Sequence, residues 1–199
     1  EGGKSMAELT EIRWHGRGGQ GAKTAAILFA DAALGEGKYV QAFPEYGPER
    51  MGAPVQSYNR LSDKPITIHC GVKCPRFVAV LDPTLMDAID VTNGLPDDGV
   101  LLINTKKTPQ QVRAEMQLAG RKVFTVDASG ISKRCLGREI PNTPMLGALV
   151  KISGLINFER MVDDTRKKLE KKFKTKPEMI DGNVMAIKAA YDEVHGEAN

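Results

Sequence analysis

The chain has 199 residues, 41% hydrophobic and 27% charged, with a formal charge of +3. That size and composition suit one globular domain able to bury a core without disulfide staples. No apolar run approaches the ~18 residues of a membrane span. The densest basic run, residues 167–176, is broken by Glu170 and reads as a solvated helix face, so neither a membrane nor nucleic acid is expected as a partner.

Glu1 to Ser5 read as a cloning scar, leaving 6–199 as a single expected domain. Residues 12–14 form a short strand candidate, followed at once by Gly16-Arg17-Gly18-Gly19-Gln20-Gly21. Residues 22–34 carry apolar side chains at helical spacing and stop at Gly35 and Gly37. A second strand is expected over 38–43, then a strand pair over 56–60 and 66–69 with a turn at Ser62-Asp63. Residues 77–81 and 100–103 are uninterrupted apolar runs, the pattern of strands buried on both faces of a parallel sheet. Asp82-Pro83 ends the first of these runs, Pro83 fits the first turn of a helix towards Ile89, and Thr108-Pro109 opens another helix with a cap and a proline in its first turn. Residues 122–126 give a further strand. From Pro144 the pattern is helical, with breaks near Gly154, Asn157 and Pro177. Strands alternating with helices predict a three-layer, Rossmann-like α/β domain with a mainly parallel sheet. Two C-terminal helices, about 158–173 and 177–194, pack against it.

Three segments carry candidate chemistry. The glycines of 16–21 let the backbone approach a ligand between a strand and a helix, where free N–H groups and the helix dipole favour an anion. Arg17 can add a bidentate phosphate contact, while a tight packing turn is the plain alternative. The pattern satisfies the dinucleotide fingerprint, but no acidic residue closes the next strand, where Val40-Gln41-Ala42-Phe43-Pro44 precedes Glu45. A P-loop is rejected because Ala22 separates Gly21 from Lys23-Thr24. The second segment, 44–54, holds three prolines and two glycines and is expected as a shaped loop at the same sheet end. In it Tyr46 offers stacking area and a hydroxyl. Glu49 and Arg50 either pair with each other or face a ligand or partner. The third segment is Pro141-Asn142-Thr143-Pro144, in which Asn142 or Thr143 caps a helix or presents its N-terminus to a ligand.

Other candidates are thinner. His15 adjoins the glycine loop but has no nucleophilic partner. His69, Cys70 and Cys74 lack a fourth metal ligand at sensible spacing, so three free, buried thiols are expected, in keeping with a reducing cytoplasm. No cysteine run suits an iron–sulfur cluster. The residues describe a binding domain with no catalytic side chain and no metal site of its own.

Glu11-Ile12-Arg13-Trp14-His15-Gly16-Arg17-Gly18-Gly19-Gln20-Gly21-Ala22-Lys23, the 44–54 loop and Asn142-Thr143-Pro144-Met145-Leu146-Gly147-Ala148, in that order, resemble the γ subunit of 2-oxoacid:ferredoxin oxidoreductases from about Glu11 to Tyr191. Trp14-His15 and Pro44-Glu45-Tyr46-Gly47 look more like the pyruvate or branched-chain type than the 2-oxoglutarate type. The resemblance implies a complex that oxidatively decarboxylates a 2-oxoacid to an acyl-coenzyme A and passes electrons to ferredoxin. It also implies that thiamine diphosphate, magnesium and iron–sulfur clusters belong to partner subunits only. Coenzyme A is then the expected ligand of Gly16 to Gly21, with Tyr46, Glu49, Arg50, Asn142 and Thr143 shaping the neighbouring wall or a subunit interface. A stand-alone NAD(P)-dependent oxidoreductase and a purely structural bridging subunit are the competing readings.

Overall fold

A computed structural model describes residues 9–45 and 52–197. Seven strands form one sheet in the order β2-β3-β1-β4-β5-β6-β7: β1 (Thr10–Arg17), β2 (Tyr39–Glu45), β3 (Pro54–Ser62), β4 (Phe77–Val80), β5 (Val100–Asn104), β6 (Lys122–Val126) and β7 (His195–Gly196). β1 runs parallel to β4, β5 and β6, and β2 shares their direction because two antiparallel pairings, through β3, separate it from β1. Only β3 and β7 run the other way, so the mainly parallel sheet expected from the buried apolar runs is present.

The pleat sends alternate residues of the central strands into two separate cores. Ile12, Trp14, Phe77, Ala79, Val100 and Leu102 meet five helices: α1 (Ala22–Gly35), α3 (Ala128–Leu136), α4 (Asn142–Ser153), α5 (Phe158–Lys172) and α6 (Pro177–Glu193). Val78, Val80, Leu101, Ile103 and Val123 face the opposite way, onto Val91, Leu95 and Val112 of α2 (Pro109–Met116). These are the three layers. Trp14 fixes the β1–β3–α1 junction, donating through Nε1 to Asn59 Oδ1 at 2.8 Å while Asn59 Nδ2 donates to Ala26 O at 2.8 Å.

Several expectations need correction. Residues 66–69 are not a strand, because both edges of β3 are already occupied by β1 and β2. The segment instead crosses the sheet face, where Gln41 Nε2 donates to Ile68 O at 3.0 Å and Arg60 Nη2 to Cys70 O at 2.6 Å. β2 continues through Pro44 to Glu45 and β3 starts at Pro54, so the proline-rich loop is shorter than 44–54. Pro44 is tolerated because β2 is an edge strand and needs no donor on its outer side. The helix expected after Asp82 is a short 3-10 segment, Pro83–Asp87. α4 begins at Asn142 rather than Pro144, and neither Asn142 nor Thr143 caps it; its N-cap is Pro141.

Candidate anion site at the carboxyl edge of the sheet

β1 leads through α1 on one face towards β2, whereas β4 leads through the 3-10 segment on the other face towards β5. The carboxyl ends of β1 and β4 therefore flank a topological switch point, the place where open α/β sheets bind ligands. Gly16 to Gly21 lies there. Gly16 and Arg17 close β1, Gly18, Gly19 and Gln20 turn, and Gly21 is the N-cap of α1. Gly19 and Gly21 have φ of 94° and 84°, backbone that other residues rarely adopt.

The three sequence segments meet at this turn. Gly18 N donates to Ala53 O at 2.9 Å and Gly52 N to Gly18 O at 3.3 Å, which pins the end of the second segment against the glycines. Tyr46, Glu49 and Arg50 lie outside the described residues. A Cβ at Gly21 would stand 2.5 Å from Asn142 Nδ2, so the start of α4 abuts the start of α1. Neither helix has a side-chain bond from its N-cap residue or an acidic residue in its first turn, although Asn142 Oδ1 accepts from Thr143 N at 2.8 Å. Two positive dipole ends thus converge at a glycine whose missing Cβ makes room for the Asn142 side chain, while Gly19 has nothing within 4 Å of the place a Cβ would take. Thr143 is not part of this surface. It is buried, and its hydroxyl donates to Asn183 Oδ1 at 3.0 Å.

Arg17 crosses the switch point. Its Nε lies 3.3 Å from Asp82 Oδ2, its Nη2 donates to Thr84 Oγ1 at 2.9 Å, and its Nη1 donates to Gly52 O at 3.2 Å. Gln20 braces the same corner, accepting from Arg17 N at 2.7 Å and donating through Nε2 to Asp82 Oδ2 at 2.7 Å. Burial works against the charge on Asp82, yet hydrogen bonds from Thr84 and Gln20 and the Arg17 guanidinium together hold its carboxyl below the usual range. Sequence reading took Asp82 only as the stop of a strand. The available signal was an acidic residue at the carboxyl end of a buried parallel strand.

His15 is 2% exposed and points away from solvent. Its Nε2 accepts from Arg13 Nε at 2.9 Å, and its Nδ1 has no hydrogen-bond partner. Burial, and then the Arg13 charge, lower its pKa to about 3, so it carries no positive charge to an anion at neutral pH. Glu45, which the sequence placed after a proline, is the last residue of β2 and accepts from Tyr58 Oη. It still does not restore the dinucleotide pattern, because β3 separates β2 from β1. Cys70 and Cys74 are exposed rather than buried, Cys135 is half-buried, and all three are free thiols. Among the described residues no cluster of three His, Cys, Asp or Glu is arranged to hold a metal, and no helix is long and apolar enough to cross a membrane.

The profile of the pyruvate ferredoxin/flavodoxin oxidoreductase family matches residues 11–193. The chain is 47% identical to the pyruvate synthase subunit PorC of Thermotoga maritima over 184 residues, 92% of this chain and 94% of that one. It is 43% identical to the pyruvate/ketoisovalerate oxidoreductases common subunit gamma of Pyrococcus furiosus over 185 residues, 93% and 97% of the two chains. The crystal structure of the Thermotoga maritima pyruvate oxidoreductase subunit superposes with a TM-score of 0.82 at 45% identity, covering 96% of this chain and 99% of that one. A 2-oxoglutarate:ferredoxin oxidoreductase from Magnetococcus marinus shares the fold, with a TM-score of 0.73 at 18% identity over 94% of this chain and 32% of that chain. The chain belongs to the pyruvate ferredoxin/flavodoxin oxidoreductase family. Within it, the chain is a gamma subunit of a pyruvate/2-oxoacid:ferredoxin oxidoreductase.

Proposed function

We propose that this gamma subunit anchors the phosphates of coenzyme A while partner subunits carry out the chemistry. The observation that supports this most is the convergence of the uncapped starts of α1 and α4 at Gly21 and Asn142, beside Arg17. Backbone N–H groups and two dipole ends suit a pyrophosphate ester, and the open face at Gly19 lets its oxygens come close. The resident chemistry of the complex, oxidative decarboxylation of pyruvate or a related 2-oxoacid, belongs to thiamine diphosphate, magnesium and iron–sulfur clusters held by partner chains, with ferredoxin taking the electrons. On this reading the chain is inactive alone, acts in the cytoplasm as one domain, and contributes to assembly of the complex.

A bridging role without coenzyme A has one observation in its favour: Arg17 already has a carboxylate partner in Asp82. The two readings separate in the assembled enzyme. With coenzyme A anchored at the turn, Arg17→Ala raises the KM for coenzyme A about tenfold, the size of one charge-assisted hydrogen bond. The KM for pantetheine, which lacks the phosphates, stays unchanged. An unchanged KM for coenzyme A removes the arginine from the site and leaves the glycine turn as an interface element.

A further inference from the structure

We propose that Asp82 is a resident counter-ion that holds Arg17 in the absence of ligand, yields it to an incoming phosphate, and so tempers the affinity of the glycine turn. This rests on the anion reading above and assigns Asp82 as a positioning residue for that site.

The geometry shows an unequal attachment. Asp82 is held tightly by groups other than Arg17: Oδ1 accepts from Thr84 Oγ1 at 2.6 Å and from Thr84 N at 3.0 Å, and Oδ2 accepts from Gln20 Nε2 at 2.7 Å. The carboxylate therefore keeps its place when the guanidinium leaves. Arg17 is held loosely. Its approach to Asp82 is a single 3.3 Å contact through Nε, not the paired fork that makes arginine–carboxylate bonds strong. Its shortest side-chain bond, 2.9 Å, goes to the neutral Thr84 hydroxyl. The guanidinium is also accessible, with 31% of the side chain exposed against 14% for Asp82. A phosphate offering two oxygens outcompetes a hydroxyl, the Gly52 carbonyl at 3.2 Å and one distant carboxylate oxygen for such a guanidinium.

The fixed negative charge has a second effect. It remains beside the bound phosphate and weakens its hold, so that an acyl-coenzyme A carrying the same phosphates as the substrate can leave. An arginine without this counter-ion would bind substrate and product more tightly together.

The test uses the assembled oxidoreductase with Asp82→Asn, Arg17→Ala and the double variant. Asp82→Asn is expected to lower the KM for coenzyme A about fivefold, the scale of a partly exposed ion pair, and to tighten product inhibition by acyl-coenzyme A in the same ratio. Pantetheine kinetics stay as they were. The gain needs Arg17, so the double variant behaves as Arg17→Ala alone. Thr84→Val loosens Arg17 while Gln20 still holds Asp82; it shifts the KM in the same direction by less, and it decides the matter alone if Asp82→Asn fails to assemble. An unchanged or raised KM in Asp82→Asn, or in Thr84→Val where Asp82→Asn does not assemble, with Arg17→Ala still impaired, overturns the counter-ion and leaves the anion site standing. An Arg17→Ala enzyme with unaltered KM for coenzyme A overturns both.

Discussion

Arg13 and His15 are two residues apart on β1 and therefore share one face of the sheet. That much was legible in the sequence; that the face is buried was not, since charged side chains are seldom enclosed. Arg13 is accommodated by carbonyl oxygens, Nη2 donating to Val91 O at 2.9 Å and to Asn93 O at 2.6 Å, while Nε holds His15. His15 has a folded pKa of about 3, against an ordinary value near 6.5. Between those values the unfolded chain takes up a proton that the folded chain refuses. His15 thus contributes stability that is full above pH ~6.5 and is lost as the pH falls towards 3. From pH 7 to pH 5 that loss is roughly 2 kcal/mol. His15→Gln keeps an acceptor for Arg13 but cannot titrate, so its urea midpoint should fall much less over the same interval. Equal falls in the two proteins would mean that His15 is not held neutral. The place of Asp82 at a strand end was legible but its partners were not, because Arg17 and Gln20 lie far off in sequence and are brought adjacent only by the β1–β4 pairing.

Long periodic elements were readable and short, context-held ones were not. α5 and α6 end within one residue of their expected limits, and β4 and β5 were visible as apolar runs. α3 escaped because Ser129, Gly130 and Ser132 interrupt its apolar pattern; it is fixed by the Asp127 cap, which accepts from Gly130 N at 2.8 Å, and by packing on α6. β7 has two residues and is held through Glu197, whose carboxylate accepts both Nε and Nη2 of Arg113. The third family segment also has a packing purpose that composition does not reveal. A Cβ on Gly147 of α4 would lie 2.2 Å from Ile187 O of α6, a backbone atom that cannot turn aside. Gly147→Ala should therefore destabilise the fold by about 1–3 kcal/mol through overpacking. Thr108→Ala, which removes the capping box of α2, should cost about 1 kcal/mol. Urea unfolding of both variants checks the order; an alanine at 147 that costs nothing would show that α4 and α6 do not approach this closely.

At the scale of the molecule, the sheet order explains why three segments far apart in the chain form one motif. Residues 16–21, Gly52, Ala53 and Asn142 meet at the carboxyl edge because β1 has β3 on one side and β4 on the other, while α4 packs beside α1. The same order separates β2 from β1 and so removes the geometry a nicotinamide cofactor requires. What remains is the glycine turn, proposed above as an anion-binding edge, on a subunit of a larger oxidoreductase. The central claim is that this edge works inside a larger oxidoreductase, and native, anaerobic co-purification of the tagged chain tests it most directly. Partner chains carrying thiamine diphosphate and iron–sulfur clusters are expected to come down with it, and the mixture to reduce ferredoxin with a 2-oxoacid and coenzyme A. A chain recovered alone, or one that binds NAD(P) in titration without partners, would contradict the claim.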